Sequence, residues 1–474
     1  MKKSITTASR TLTRAIAPGI AVFLCHATAD ASFDEAMALY EKKEYVKALA
    51  EFQRQAEIGD HNAQFNIGVM YLRGEGVPRD PVQAYAWTSL ACREKDDVKS
   101  AQAWIKARDV IRRNLSSEQL EEADRESRDL ADRWGDDVLA EQLAPSLSID
   151  SESLTHARPT KRVLPEYPIA LRKKAESGVV ELEFAVATDG TTRLHGIVSE
   201  TNRSLASAAI DAIKRWHFEP ARWKGQLVEE YGLRQRFVFH IEGAVPDEVF
   251  IRKYVDEQHA HALSGSAADA YRFATTLEMI ASVAKLPEGS DNPNKWFWKA
   301  ATRGYAGAQY ELGNNMLYGN ACTAEPSKGL RWLRRAAEAG QQEAQYVLGI
   351  EMLSGARLSQ DREAALIWLR RSAEGGLSAA RLKIAWLLAT SPDAKLRDPR
   401  LAESYLKQVP EKFIDLLSLY DTGAAVSAAL GDFETARRRQ KDALQEAEHF
   451  GLPKDALEKR LQAYQSNQAW TEAM

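Results

Sequence analysis

The sequence is poor in cysteine, glycine, proline and long apolar runs, and it has little net charge. Three cysteines in 474 residues cannot form a disulfide framework. Glycine and proline, at 27 and 16 residues, are too few for a collagen-like or largely disordered chain. A mean hydropathy of -0.41 excludes a polytopic membrane protein. The net charge of -4 leaves no overall basic excess that would bind nucleic acid.

The first 31 residues are predicted to be a secretory signal peptide. Basic residues precede an apolar stretch from Ala15 to Ala27, and Ala27-Thr28-Ala29 and Ala29-Asp30-Ala31 are both suitable cleavage sites. The stretch is shorter than the ~20 residues that cross a bilayer. Cleavage is therefore favoured, and an uncleaved membrane anchor is the alternative. The mature chain would keep Cys92 and Cys322, which are predicted to be unpaired thiols.

A 36-residue period marks the second half of the chain. Tryptophan, glycine, alanine and an aliphatic residue recur at this spacing, at Trp296, Trp332 and Trp368, at Gly304, Gly340 and Gly376, at Ala308, Ala344 and Ala380, and at Leu312, Leu348 and Ile384. Gly340 ends a helix of the repeat, where a left-handed residue is required. The pattern predicts helical hairpins that stack to bury their apolar faces. The third copy is predicted to become irregular beyond Leu388, near Pro392 and Pro399.

These hairpins resemble Sel-one-like repeats, relatives of the tetratricopeptide repeat. The stretch AEIGDHNAQFNIGVMYLRGEGVPRDPVQAYAW has the residues of that family in order, namely Gly59, Ala63, Asn66, Gly68, Tyr71, Gly74, Gly76, Val77, Asp80 and Ala84. Tetratricopeptide-like hairpins are predicted before it, in EAMALYEKKEYVKALAEFQRQA, and near the other end, in AAVSAALGDFETARRRQKDALQEA. Such arrays usually present a concave surface to a protein or peptide. The alternative is that the helical arms are only spacers.

The pattern changes between about residues 158 and 243. Val180, Leu182, Phe184 and Val186 alternate with Glu181, Glu183 and Ala185, which predicts a half-buried strand. Asp189-Gly190 is a hairpin signal, and a helix capped by Ser204 follows in SLASAAIDAIKRW. A long final strand, LVEEYGLRQRFVFHI, is predicted to point Leu233, Phe237, Phe239 and Ile241 inward. The result is a small α+β module, a three-stranded antiparallel sheet with helices.

This module resembles the C-terminal domain of TonB energy transducers. The motifs that support the resemblance are Pro165-Glu166-Tyr167-Pro168, Gly178-Val179-Val180, Asp189-Gly190, Trp216-His217-Phe218-Glu219-Pro220-Ala221, Gly225 and Phe237. The resemblance implies that the module binds an extended segment of an outer-membrane receptor by strand addition. It places the partner-binding edge at Arg234, Gln235, Arg236, Phe237, Val238 and Phe239. Only the backbone of the core residues would serve the peptide, and Arg234 and Arg236 would be either solvated or in contact with it.

The sequence also departs from that family. A TonB transducer has a long N-terminal transmembrane helix and a proline-rich spacer, and this sequence shows neither, while its module is central. Because the resemblance implies a Gram-negative cell, a cleaved leader predicts the periplasm. A retained leader would predict the inner membrane with the chain facing the periplasm.

No catalytic, cofactor-binding or metal-binding residues are predicted. The nine histidines have no metal or triad spacing, and His259 and His261 lie two apart on a predicted helix, so they point to different sides. Ser282 and Lys285 form a Ser-x-x-Lys pair, but the accompanying motifs of that nucleophile are absent.

The sequence, which is long enough for roughly three domains, is divided as follows: signal peptide 1–31, N-terminal helical repeats 32–140, linker 141–160, TonB-like domain 161–243, helical connector 244–290, Sel-one-like repeats 291–410 and tetratricopeptide-like helices 411–474. The predicted fold class is mainly α with a central α+β module. The predicted function is a periplasmic, non-enzymatic adaptor that binds envelope proteins or peptides, such as an outer-membrane receptor segment, and is linked to TonB-dependent transmembrane transport. It would have no nucleic-acid partner and, once the leader is cleaved, no stable membrane insertion. The alternatives are a true TonB-type energy transducer anchored in the inner membrane and a signalling regulator that acts through the repeats.

Overall fold

The structure is a computed structural model that describes residues 33–93, 98–147, 154–173, 178–239, 248–283, 286–355, 357–409 and 416–472. The predicted signal peptide, the inward position of Ile241 and Lys285 lie outside these residues. Among the described residues, no helix is both long and apolar enough to cross a membrane.

The fold is mainly α with a small antiparallel sheet, which confirms the predicted class. In chain order the helices are α1 (Phe33–Glu41), α2 (Tyr45–Ala56), α3 (His61–Arg73), α4 (Pro81–Ala91), α5 (Val98–Arg113), α6 (Ser117–Trp134), α7 (Asp136–Leu143), α8 (Ile169–Lys173), α9 (Arg203–Ile213), α10 (Glu248–Ser264), α11 (Ala267–Val283), α12 (Pro293–Ala301), α13 (Ala306–Tyr318), α14 (Pro326–Glu338), α15 (Gln342–Ser354), α16 (Arg362–Gly375), α17 (Ser378–Thr390), α18 (Pro399–Lys407), α19 (Leu416–Ala429), α20 (Phe433–Phe450) and α21 (Asp455–Gln465).

The described strands lie in the predicted α+β module, except that the first two begin in the predicted linker 141–160. They are β1 (Leu154–Thr155), β2 (Arg158–Lys161), β3 (Gly178–Val186), β4 (Thr192–Glu200), β5 (His217–Glu219), β6 (Arg222–Trp223), β7 (Gln226–Leu227) and β8 (Glu230–Phe239). The main sheet has the order β4-β3-β8, and short ladders join β2 to β5, β1 to β6, and β6 to β7. All of the pairings are antiparallel.

The described residues fall into two compact units. The first, which we call the repeat unit, contains helices α1–α7 and α10–α16, and the second, the module unit, contains the sheet, α8, α9 and helices α17–α21. The predicted 291–410 segment is thus divided at Gly376 between the two units.

In the repeat unit, local sequence signals set the ends of the helices. Asp60 caps α3 by accepting a hydrogen bond from Ala63 N at 2.9 Å, and α3 ends at Gly74, whose φ of 73° suits glycine. A capping box of Ser116 and Gln119 is present at the start of α6. These caps satisfy backbone groups that the helix itself leaves without partners.

Small residues let neighbouring helices of the repeat unit approach closely. A Cβ atom on Gly329 of α14 would lie 2.6 Å from the carbonyl oxygen of Gly313 in α13. No side chain fits at that distance, so the close approach of α13 and α14 requires glycine at this position.

The two sequence segments of the repeat unit share one core. Trp332 is fully buried, and its Nε1 donates to the carbonyl oxygen of Leu143, at the end of α7, at 2.8 Å. The backbone of Thr323 donates to Ser146 O at 2.8 Å, and Ser146 N donates to Glu325 Oε2 at 2.9 Å. The helices before the module therefore continue into the helices after it, with the module inserted between them in the sequence.

In the module unit, the alternating residues of β3 form the core as predicted. Val180, Leu182 and Val186 are fully buried and pack against apolar side chains of α9, namely Leu205, Ala206, Ala209 and Ile213. The predicted cap of α9 is corrected, because Asn202 and not Ser204 is the cap, and Asn202 Oδ1 accepts from Ser204 N at 2.9 Å.

The helices of the module unit also contact the module itself. The Nζ of Lys214, just after α9, lies 4.9 Å from the ring centroid of Phe450 at the end of α20. The predicted irregular region after Leu388 lies mainly between Thr390, where α17 ends, and Pro399, the first residue of α18. Proline is compatible with that first helical position.

Candidate peptide-binding edge

Strand β8 forms one edge of the main sheet. Its register on β3 pairs Gly178 with Phe239, Val180 with Phe237 and Phe184 with Leu233. Among the described strands, β3 is the one that pairs with β8. The predicted residues Arg234, Gln235, Arg236, Phe237, Val238 and Phe239 are thus consecutive positions of an edge strand.

The inner face of β8 is anchored by its aromatic residues. Phe237 and Phe239 are 6% and 4% exposed. The Phe237 ring meets Trp216 edge-on at 5.9 Å between centroids, and Phe239 meets Tyr167 at 5.6 Å. Trp216 is itself fixed, since its Nε1 donates to Val163 O at 2.8 Å. These side chains hold β8 in the core, so they are not available to a partner.

The direction of the backbone groups on β8 follows from hydrogen bonds at the start of β3. Val179 N donates to Thr201 Oγ1 at 2.9 Å, and Val179 O accepts from Thr201 N at 3.0 Å, so the Val179 backbone faces the β4 side. Successive residues of a strand alternate in direction. Val180 therefore faces β8, and its partner Phe237 faces β3.

The same alternation leaves a second set of backbone groups on the outer edge. The N–H and C=O of Arg234, Arg236 and Val238 point away from β3. One of these groups has a local partner, because Gln235 Nε2 donates to Arg236 O at 2.7 Å. An incoming strand would meet three residues spaced two apart, which is the pattern needed for strand addition.

Two cross-strand ion pairs cover the other face of β8. Arg236 Nη2 lies 2.9 Å from Glu181 Oε2, and Arg234 Nη2 lies 3.3 Å from Glu183 Oε2. The arginine side chains are only 7% and 25% exposed. The outward direction predicted for them is present, but each guanidinium contacts a glutamate of β3 instead of lying free in solvent. These ion pairs help to fix the register of β8 on β3.

Glu230, at the start of β8, is a contact residue that sequence reasoning missed. It is 2% exposed, its Oε2 accepts from Ala157 N at 2.7 Å, and its Oε1 lies 2.7 Å from His156 Nδ1. This carboxylate fixes the segment between β1 and β2 to the end of the edge strand. A glutamate in an alternating strand gives no signal of such burial.

Among the described residues, the histidines weighed for metal binding do not form a metal site. The His259 ring packs against two aromatic side chains, Phe273 and Trp296, at 5.3 and 5.2 Å between centroids. Across the described ranges, no group of three or more histidine, cysteine or acidic residues could hold a metal ion. Cys92 and Cys322 are both free thiols, as predicted, and burial raises the pKa of Cys322 to about 12, which disfavours its thiolate form.

Comparison with known families agrees with both resemblances. Residues 163–241 match the Gram-negative bacterial TonB protein C-terminal family, and residues 61–96, 306–341 and 342–377 match the Sel1 repeat family. The chain therefore contains a TonB C-terminal domain and three Sel1 repeats, which are non-catalytic interaction domains. No curated protein is significantly similar to the chain in sequence.

Two solved structures are similar to parts of the chain. One is a Sel1 repeat protein from Oxalobacter formigenes, with 19% identity and a TM-score of 0.31 over 43% of this chain and 83% of that one. The other is a protective antigen of uropathogenic Escherichia coli with an SLR fold, with 17% identity and a TM-score of 0.20 over 92% of this chain and 84% of that one.

Proposed function

We propose that this protein is a periplasmic adaptor that binds an extended peptide along β8 and docks other envelope proteins through its helical repeats. The observation that carries the proposal is the outward backbone of Arg234, Arg236 and Val238 on an edge strand within a TonB C-terminal domain. The family match supports an outer-membrane receptor segment as the peptide and a link to TonB-dependent transport.

Strand addition at this edge would form new main-chain hydrogen bonds but would bury little additional apolar surface. The aromatic side chains of β8 already lie in the core, so an added strand would gain its affinity from main-chain bonds. It would also displace Gln235 Nε2 from the Arg236 carbonyl. This side chain shields one edge carbonyl in the unbound chain, in keeping with the need to protect exposed strand edges.

A proline substitution tests this mode because the direction of each N–H on β8 differs. Val238→Pro removes an N–H that points outward, and an edge strand tolerates proline there. Gln235→Pro removes an N–H that faces β3 and should destabilise the sheet itself. Val238→Thr keeps the outward N–H and is the matched control.

The probe is a 12-residue peptide selected from a random displayed library on the purified full chain, with binding that maps to the module. We expect Val238→Pro to weaken its affinity at least tenfold with an unchanged thermal transition, and Val238→Thr to retain it. Unchanged affinity in a folded Val238→Pro chain would refute strand addition on β8.

The proposed location depends on removal of the leader. We expect the mature protein from a periplasmic extract to begin near residue 30 or 32, after one of the two predicted cleavage sites. N-terminal sequencing of the fractionated protein measures this. Recovery of residues 1–31 in the inner-membrane fraction would contradict the adaptor and favour the anchored transducer.

A further inference from the structure

Residues 468–472, which we call the strap, lie across the helices of the module unit without helical or strand structure. The chain turns back after α21 at Asn467, which has a φ of 53°. Gln468 N donates to Ala463 O at 2.9 Å, and Arg437 Nη1 donates to Tyr464 O and to Asn467 Oδ1 at 3.1 and 3.2 Å. These hydrogen bonds fix the turn that directs the strap onto the helices.

The strap packs one aromatic side chain, that of Trp470, against the helices of the module unit. Trp470 packs against a floor formed by Ala424, Ala428, Ala436 and Tyr464 of α19, α20 and α21. The Arg460 guanidinium lies 6.0 Å from the Trp470 ring centroid and 5.3 Å from that of Trp386. Asp421 holds this guanidinium with two contacts of 2.8 Å. The fixed Arg460 guanidinium and the apolar side chains beneath it therefore form a cation–π site that suits an indole ring.

Glu472, two residues after Trp470, makes one hydrogen bond through its main chain and another through its carboxylate. Glu472 N donates to the carbonyl oxygen of Thr390, the last residue of α17, at 3.0 Å. The Glu472 carboxylate also accepts from Trp470 Nε1 at 3.3 Å. Burial lowers the pKa of Lys383 on α17, and the carboxylates of Glu229 and Glu472 oppose that change. The Lys383 side chain thus interacts electrostatically with Glu472.

Two buried polar atoms on the helices that contact the strap have no hydrogen-bond partner among the described residues. They are the hydroxyl of Tyr464, which is fully buried, and Gln440 Oε1 on α20. Buried polar atoms are normally paired.

We propose that the groove of α17, α19, α20 and α21 is a peptide-docking site that the chain's own strap occupies. A partner peptide with a tryptophan two residues before an acidic residue binds there when the strap detaches. This site is separate from the β8 edge, and its existence does not depend on the function proposed for that edge.

The test measures binding in trans. The probe is a fluorescein-labelled synthetic peptide with the sequence of residues 466–472, SNQAWTE, added to the purified full chain. We expect the Trp470→Ala chain to bind it at least tenfold more tightly than the wild-type chain, because its strap competes less well. The same peptide with alanine for tryptophan should not bind.

A paired control locates the probe in the groove. In the Trp470→Ala background, Arg460→Gln should abolish binding, whereas Lys459→Gln, at the exposed neighbouring position, should leave it unchanged. If Trp470→Ala lowers the thermal transition, Glu472→Pro serves instead, since it removes the N–H given to Thr390 and the carboxylate that accepts from Trp470 Nε1 but keeps the indole. A folded Trp470→Ala or Glu472→Pro chain that binds no better than wild type would overturn the proposal.

Discussion

The repeat unit and the module unit satisfy their backbone groups in different ways. In the repeat unit, helices pair their own backbone groups, side-chain caps complete their ends, and small residues bring neighbours into close contact. In the module unit, one strand keeps a row of outward N–H and C=O groups. The helices of the repeat unit thus satisfy their backbone groups internally, whereas we propose that the edge strand of the module unit presents backbone groups to a partner peptide.

The largest effect should follow from breaking the shared core of the repeat unit. Trp332→Ala removes a fully buried indole and its hydrogen bond to Leu143, and we expect the free energy of unfolding to fall by about 3–5 kcal/mol. Urea unfolding followed by circular dichroism measures this loss. Trp368→Ala is the control at the same repeat position, where the ring is only half-buried. An equal loss at both positions would mean that Leu143 does not join the core.

A smaller, pH-dependent effect should come from Asp60. Burial raises the pKa of this carboxyl from 3.8 to about 6, against the opposing hydrogen bond from Ala63 N. The folded state therefore holds the proton more tightly than the unfolded state. This stabilising contribution is complete below about pH 4 and is lost as the pH rises through about 6.

The comparison with Asp60→Asn isolates that group. Asparagine also caps helices well and does not titrate, so its variant should gain about 2–3 kcal/mol relative to wild type between pH 4 and pH 7. Urea unfolding at several pH values gives the difference. Parallel pH curves for the two proteins would show that Asp60 is not buried as described.

The smallest effect concerns the ion pairs of the module unit. Arg236→Gln breaks the contact with Glu181 and should cost about 1–2 kcal/mol, because the remaining carboxylate is largely shielded from water. Arg193→Gln removes a more exposed partner of Asp189 and should cost less than about 0.5 kcal/mol. A double-mutant cycle with Glu181→Gln measures the coupling, and a coupling near zero would show that the pair does not fix β8.

Some of this architecture could be predicted from the sequence and some could not. The alternation of Val180, Leu182 and Phe184 predicted a half-buried strand, and the 36-residue period predicted the hairpins, because both patterns are local consequences of backbone geometry. The shared core of the repeat unit depends on the hydrogen bond from Trp332 to Leu143, and these two residues lie far apart in the sequence. No local pattern reports such a contact.

The candidate site shows the same limit. The family motifs indicated the edge strand, and alternation placed Phe237 and Phe239 inward. The pairing of Arg236 with Glu181 needed the strand register, and the burial of Glu230 needed the position of the segment around His156. The cap at Asn202 was missed because asparagine and serine are both good caps and lie two residues apart.

The most direct test of the β8 edge is amide hydrogen exchange of the full chain, resolved by residue with NMR. The alternation of hydrogen-bonded and outward residues predicts that the amides of Leu233, Gln235 and Phe237 are protected and those of Arg234, Arg236 and Val238 exchange at least a hundredfold faster. Uniform protection along β8 would show that its outer edge is already paired, and it would contradict the proposed strand addition.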